Sequence, residues 1–435
     1  MNMKILLRLI VILTVSAGVP AAGAEELIIV DRSNNANAVV VLPDDAYPIA
    51  EYAAEELALH VRKATGVELE IVAEGGLSDN DNKVKIYVGD TESGREVIPI
   101  DELESETAVL KTAGDALYIA GRDGDGDPLD FDTTHSATLW GVYEFLETEL
   151  DVRWLWPGKL GTYVPKKDHI AVGELDKTVS PHFARRHIRP ARSRPDAPDE
   201  RLTFSDKEFE DYVRAERIFL RRHRMGRTEG RFEPHNGRGP YGHAFGGWWE
   251  RYGEKNPEWF QLVGGERGRI AGDRGISMCV SNPDLHEKIV ELWLERRESA
   301  PELMSINVCE GDAYGMCFCD DCIEWDGEQL DPEDIPEGAF RPAYTRTVHG
   351  YMSRHVSDRY ARFAESGRRL AAEHEPDVKV YSYAYFNYFL APSPDVDLHP
   401  NLIIGFVPPH YFPRSEEEDR WVRNQWTGWY ESGVS

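Results

Sequence analysis

The chain has 435 residues, enough for two or three domains at about 100–200 residues each. Its formal net charge of −28 repels phosphate backbones and argues against a nucleic-acid partner. An apolar fraction of 41% with 11% aromatic residues is that of a globular protein and sets aside a disordered chain.

The N-terminus reads as a bacterial export signal. Lys4 and Arg8 give the positive region, Leu9 to Val19 the apolar run, and Ala22-Gly23-Ala24 the cleavage site. The run is shorter than the ~20 residues that span a bilayer. No later run qualifies, so the mature chain is expected to be exported, periplasmic or extracellular, with no membrane span.

Glu26 to Val30 and Ala38 to Leu42 read as strands. Pro48 opens a helix with Ile49, Tyr52, Ala53, Leu57 and Val61 on one face, ended by Gly66. Leu69 to Val72 and Lys83 to Val88 are further strands. Ala108 to Lys111 and Ala116 to Ala120 flank the turn Ala113-Gly114-Asp115. A second helix covers Thr134 to Glu149, and Val152 to Trp156 follows. Strands interleaved with two helices predict an α/β domain over residues 25–175. The carboxylate-rich stretch Asp123 to Asp132 suits calcium or a solvated loop; Pro128 stands where an EF-hand has glycine.

Glu51-Tyr-Ala-Ala-Glu-Glu-Leu57, Ile86-Tyr-Val-Gly89, Leu139-Trp-Gly-Val-Tyr-Glu-Phe-Leu-Glu147 and Val152-Arg-Trp-Leu-Trp-Pro-Gly158 resemble the accessory domain that precedes the barrel in alpha-glucuronidases and beta-hexosaminidases. The resemblance implies glycoside chemistry and a supporting role for this domain.

A second domain is predicted over 181–435. Phe204 to Met225 reads as a helix ending in Arg221-Arg-His-Arg224. Those arginines either balance the helix dipole or meet an anionic sugar through a guanidinium fork. In Tyr241 to Trp249, aromatic faces suit a sugar ring, although at least one of Trp248 and Trp249 reads as a buried anchor. His243 either binds substrate hydroxyls or satisfies a loop carbonyl. Ile276 to Val280 is a strand, and Asn282-Pro283 caps the helix Asp284 to Glu298.

Met304 to Val308 is a short apolar strand. Just beyond it lie Glu310 and Asp312, where barrel enzymes keep their chemistry. Residues two apart on an extended strand point the same way, so both carboxyls can share a site and one can retain a proton. Asp312 is the first candidate for general acid and Glu310 its partner or base; otherwise one of them caps the turn. Cys309, Cys317, Cys319 and Cys322 are expected to form either a structural zinc site or a disulfide. A helix is expected over Tyr344 to Glu375, then a strand Val378 to Tyr385, the aromatic loop Tyr385 to Phe389, a strand Asn401 to Val407 and a helix Glu416 to Glu431.

Gly242-His243, Asn256-Pro-Glu-Trp-Phe260, Cys279-Val-Ser-Asn-Pro283 and Asp312 followed by Cys-x-Cys-x-x-Cys resemble a bacterial family of secreted proteins, the domain of unknown function 4838. That resemblance implies the accessory domain joined to a glycosidase-like (β/α)8 TIM barrel. Gly311-Asp312-Ala313 stands where the family pattern has Asn-Asp-Gly. About six strand-plus-helix units are legible against the eight of a closed barrel, so the chain is expected to lack the last part of a longer protein.

The expected fold is therefore α/β: an accessory domain followed by an incomplete barrel. The expected function is a secreted glycoside hydrolase acting on polysaccharide or oligosaccharide, including uronic acid units. Asp312 and Glu310 are the catalytic candidates. Arg186, His243, Trp248, Tyr385 and Asn387 are the substrate-binding candidates. No organic cofactor is implied, because no phosphate-binding glycine loop occurs. The alternatives are a carbohydrate-binding protein on a barrel that has lost turnover, and a purely structural protein.

Overall fold

The computed structural model describes residues 26–78, 82–130, 134–183, 185–186, 188, 205–227, 242–268, 276–301, 303–311, 315–336, 341, 347–348, 351–352, 354–408 and 413–434. The stretch expected to be an export signal and Asp312 lie outside them. The chain forms two compact units, Met1–Phe232 and Glu233–Ser435.

The first unit is built on strands β1 (Leu27–Val30), β2 (Ala38–Leu42), β3 (Glu70–Ala73), β4 (Val84–Val88), β5 (Ala108–Ala113), β6 (Ala116–Gly121), β7 (Ile170–Val172) and β8 (Asp176–Val179). Six of them form one sheet in the order β8-β5-β6-β4-β2-β3. β3, β2, β4 and β6 run parallel, whereas β5 and β8 join antiparallel, so the sheet is mixed. β1 pairs with β7 separately.

Helix α1 (Pro48–Thr65) starts where proline costs no hydrogen bond and ends at Gly66, whose φ of 87° is open to glycine. Its apolar face, Ile49, Ala53, Leu57 and Val61, is buried. Helix α2 (Ala137–Thr148) lies close on β6, because Gly141 brings no side chain: a Cβ there would meet Ile119 Cγ2 at 2.8 Å.

Helix α3 (Asp206–Arg222) carries a capping box from Ser205 and Glu208. It packs with the first unit, and its terminal arginines explain why. Arg221 is fully buried and donates to the carbonyls of Asp130 (2.8 Å), Thr134 (3.1 Å) and Met225 (3.0 Å). Arg222 forks onto Glu56 of α1 at 2.8 and 2.9 Å, both side chains buried. Arg224 reaches Glu144 and Glu147 of α2 at 2.9 and 2.6 Å. These arginines fasten α3 to α1 and α2; neither dipole balance nor a sugar anion is their main partner.

The second unit contains helix α4 (Pro283–Arg297), capped by Asn282 as expected, with Leu285 N donating to Asn282 Oδ1 at 3.1 Å. Strand β9 (Ser305–Asn307) follows, then the short helix α5 (Asp320–Glu324), α6 (Ser357–Ala372), β10 (Lys379–Ala384), β11 (Leu402–Phe406) and α7 (Glu416–Glu431). β9, β10 and β11 form a parallel three-stranded sheet in that order. Among the described residues this sheet does not close into a barrel. α6 is shorter than the helix expected from Tyr344. Thr347–Val348 instead pairs antiparallel with Tyr351–Met352, and Val356 N bonds Asn387 O at 3.0 Å, so the chain turns helical only at Ser357. Among the described residues no helix is long and apolar enough to cross a membrane.

Candidate active site

In a parallel sheet all strands deliver their following loops to one edge, where α/β proteins assemble sites. The loop after β9 carries Glu310, and the loop after β10 carries Tyr385 to Tyr388.

Glu310 is 1% exposed. Tyr360 of α6 donates its hydroxyl to Glu310 Oε2 at 2.9 Å, and Met278 N donates to the same carboxyl at 3.3 and 3.4 Å. Among the described residues no lysine or arginine pairs with it. Burial pushes the Glu310 carboxyl up to about 7, with the Tyr360 hydroxyl and the Met278 and Gly311 amides opposing. Burial and the nearby Glu310 hold the Tyr360 hydroxyl well above its usual range, so it remains a donor. Tyr388 stacks on Tyr360 with centroids 4.2 Å apart and planes 16° apart. Its own hydroxyl is buried without a hydrogen-bond partner among the described residues.

His243 places Nδ1 2.9 Å from the Glu310 carbonyl oxygen. A carbonyl oxygen accepts, so Nδ1 donates, and this bond holds the ring against the loop. The residue is exposed, and of its two expected roles the structure exhibits the loop contact.

The other expected site residues are placed differently. Arg186 belongs to the first unit, where it ion-pairs with buried Glu106 and donates to the carbonyls of Arg224 and Phe183, each at 2.7 Å. All three of its nitrogens are engaged within the first unit, which corrects its reading as a substrate-binding residue. Trp248 is 7% exposed and packs edge-on against Phe245 at 5.1 Å and Tyr252 at 5.1 Å, so it is a core anchor and not a sugar platform. Asn387 is fully buried and joins Gly315 to Arg354: its amide donates to both carbonyls at 3.1 and 3.0 Å and accepts from Gly315 N at 3.0 Å. It braces the loops, and its full burial keeps it from substrate. Tyr385 is half-buried, its ring 3.9 Å from that of Phe386. Asp312 lies outside the described residues.

The cysteine grouping is also corrected. Cys309 turns toward β10, its Sγ 3.7 Å from Tyr381 O. Cys279, from the strand-like segment before α4, joins Cys317, Cys319 and Cys322 in its place, and the four Sγ atoms lie within 4.8 Å of one another. None of the five cysteines is disulfide-bonded. The residues that sequence reasoning missed are thus Tyr360, Tyr388, Met278 and Cys279. Cys279 had a signal, since it opens the Cys279 to Pro283 motif, and Tyr388 lay inside the aromatic loop already singled out.

A mixed α/β chain with a protonatable carboxyl at the edge of a parallel sheet is the class these observations define. Residues 156–432 match the family described as Domain of unknown function (DUF4838). That span exceeds half of the chain, and the chain belongs to this family. No curated protein matches it. Among solved structures, a GH138 enzyme targeting pectin rhamnogalacturonan II is 18% identical over 26% of this chain and 13% of its own, with a TM-score of 0.16. The GH115 4-O-methyl-alpha-glucuronidase BtGH115A, with specificity for decorated arabinogalactans, is 15% identical over 34% and 18%, at 0.23. The Flavobacterium johnsoniae chitobiase is 13% identical over 87% and 52%, at 0.30. The chain thus spans less than two thirds of each of these three proteins, and superpositions this loose leave activity to be argued from the chain's own residues.

Proposed function

We propose that this chain is an exported glycoside hydrolase of the general acid/base type, acting on polysaccharide or oligosaccharide. Glycosidic cleavage requires one carboxyl that is protonated when substrate arrives and a second that acts as base or nucleophile. The observation that carries this reading is Glu310: buried, held by Tyr360 and Met278 and pushed to about 7, its carboxyl keeps a proton near neutral pH. Glu310 therefore takes the acid role that sequence alone gave to Asp312, and Asp312, two residues on, becomes the second carboxyl. In this reading His243, on the backbone of Glu310, and Tyr385, beside Tyr388, are the residues that would contact the sugar. β9 to β11 with their helices are read as part of a (β/α)8-type barrel, in which such loops form the catalytic face.

The burial of Glu310 favours one second reading, a carbohydrate-binding protein without turnover, because a covered carboxyl must be uncovered before it meets a glycosidic oxygen. A panel of plant and algal oligosaccharides, some bearing uronic acids, separates the two. Release of reducing ends by the wild type, lost in Asp312→Asn, supports hydrolysis. Glycan binding with no release by the wild type supports the binding protein.

A further inference from the structure

We propose that Cys279, Cys317, Cys319 and Cys322 hold one structural zinc ion as a closed tetrathiolate. This inference is independent of whether the protein cleaves glycans. A tetrahedral ion with bonds of about 2.3 Å sets its sulfurs about 3.8 Å apart. Cys279 Sγ lies 3.5 Å from Cys319 Sγ and 3.9 Å from Cys322 Sγ, and Cys317 Sγ lies 3.5 Å from Cys319 Sγ. Bonded disulfide sulfurs would be about 2.0 Å apart, and pairing would draw each sulfur toward one neighbour. Here Cys279 and Cys319 each approach two others. All four thiols converge on one point, which suits a single ion and leaves no room for the inorganic sulfides of an iron–sulfur core.

All four cysteines are buried, so the ion would have four protein ligands and no open position for substrate. Four thiolates around a divalent cation carry two net negative charges, which buried surroundings must offset with donors. Leu262 N donates to Cys317 Sγ at 3.3 Å, and Ser281 Oγ lies 3.0 Å from Cys322 Sγ. Arg359, fully buried and ion-paired with Asp326, donates to the Cys317 carbonyl at 2.8 Å. The ion would join the segment before α4 to the loop leading into α5. Cys279 directly follows Met278, whose amide donates to Glu310. Zinc would thus fix one of the donors to the buried carboxyl.

Elemental analysis of the full chain, purified without metal-affinity steps, is expected to give about one zinc per chain. Cys279→Ser should lose it and Cys309→Ser should keep it, which tests the exchange of one cysteine for the other. Cobalt(II) exchanged into the site should give the charge-transfer absorption of a tetrathiolate. A folded wild-type protein without stoichiometric metal, with iron in place of zinc, or with an intact mass reduced by disulfide formation overturns the proposal. The wild-type measurements decide the matter even where a cysteine variant does not fold.

Discussion

Glu310→Gln is expected to lower glycan hydrolysis about 10²–10⁴-fold, the usual worth of a positioned general acid. That range corresponds to about 3–5 kcal/mol of transition-state stabilisation. Glutamine keeps the shape and can still accept the Tyr360 hydroxyl, but it has no proton to give the leaving oxygen. Because the protonated form is the active one, wild-type activity should fall as pH rises through about 7, the value to which burial pushes this carboxyl. The contribution of this carboxyl to stability is lost over the same pH range. The folded carboxyl holds its proton more tightly than the unfolded one, whose ordinary value is 4.5. Its contribution is therefore fully present below 4.5 and is lost as pH rises through about 7. Above that pH the glutamine variant should be no less stable than wild type, so lost activity would not reflect unfolding. A variant within a few-fold of wild-type turnover would remove Glu310 from the chemistry.

Arg222→Ala is expected to destabilise the first unit by about 3–5 kcal/mol. The substitution leaves buried Glu56 without its ion-pair partner, and desolvation of that carboxylate, more than the loss of attraction, sets the size. Packing is lost as well, since the guanidinium lies 5.3 Å from the centroid of the Trp154 ring. Chemical denaturation followed by tryptophan fluorescence measures the effect. Arg222→Met combined with Glu56→Leu should recover most of it, because an apolar pair of similar volume replaces the ions without burying a lone charge. Removing Arg62, whose pair with Glu68 is 51% and 77% exposed, should change stability by about 1 kcal/mol or less. Equal costs at Arg62 and Arg222 would show that the burial of the Glu56 pair has no energetic weight.

The contrast between these two arginines marks where sequence reading stops. Helix α1 was legible from apolar spacing, a proline at its start and a glycine at its end, all local signals. The start of α4 was legible for the same reason, as were β5 and β6 on either side of their turn. The role of Arg222 was not legible, because Glu56 stands far from it in the chain and a run of arginines at a helix end reads the same whether it faces water or a carboxylate. Trp248 posed a similar ambiguity: an aromatic side chain beside glycines fits a sugar platform or a core equally well until its neighbours are known. The cysteines divide along the same line. Cys317, Cys319 and Cys322 announce themselves by spacing, whereas the choice between Cys279 and Cys309 depends on which one the backbone turns toward them. Glu310 was found from its position after β9, but its protonation was not, since Tyr360 and Met278 reach it from other parts of the chain.

The account rests on a carboxyl at position 310 that stays neutral where ordinary glutamates are ionised. Infrared difference spectroscopy of the full chain, titrated from about pH 5 to about pH 8 with Glu310→Gln as the reference, observes that carboxyl directly. A protonated-carboxyl band that disappears near pH 7 in the wild type and is missing from the variant is the predicted result. Its absence across the whole range, with Glu310 already ionised at the acid end, would contradict the account.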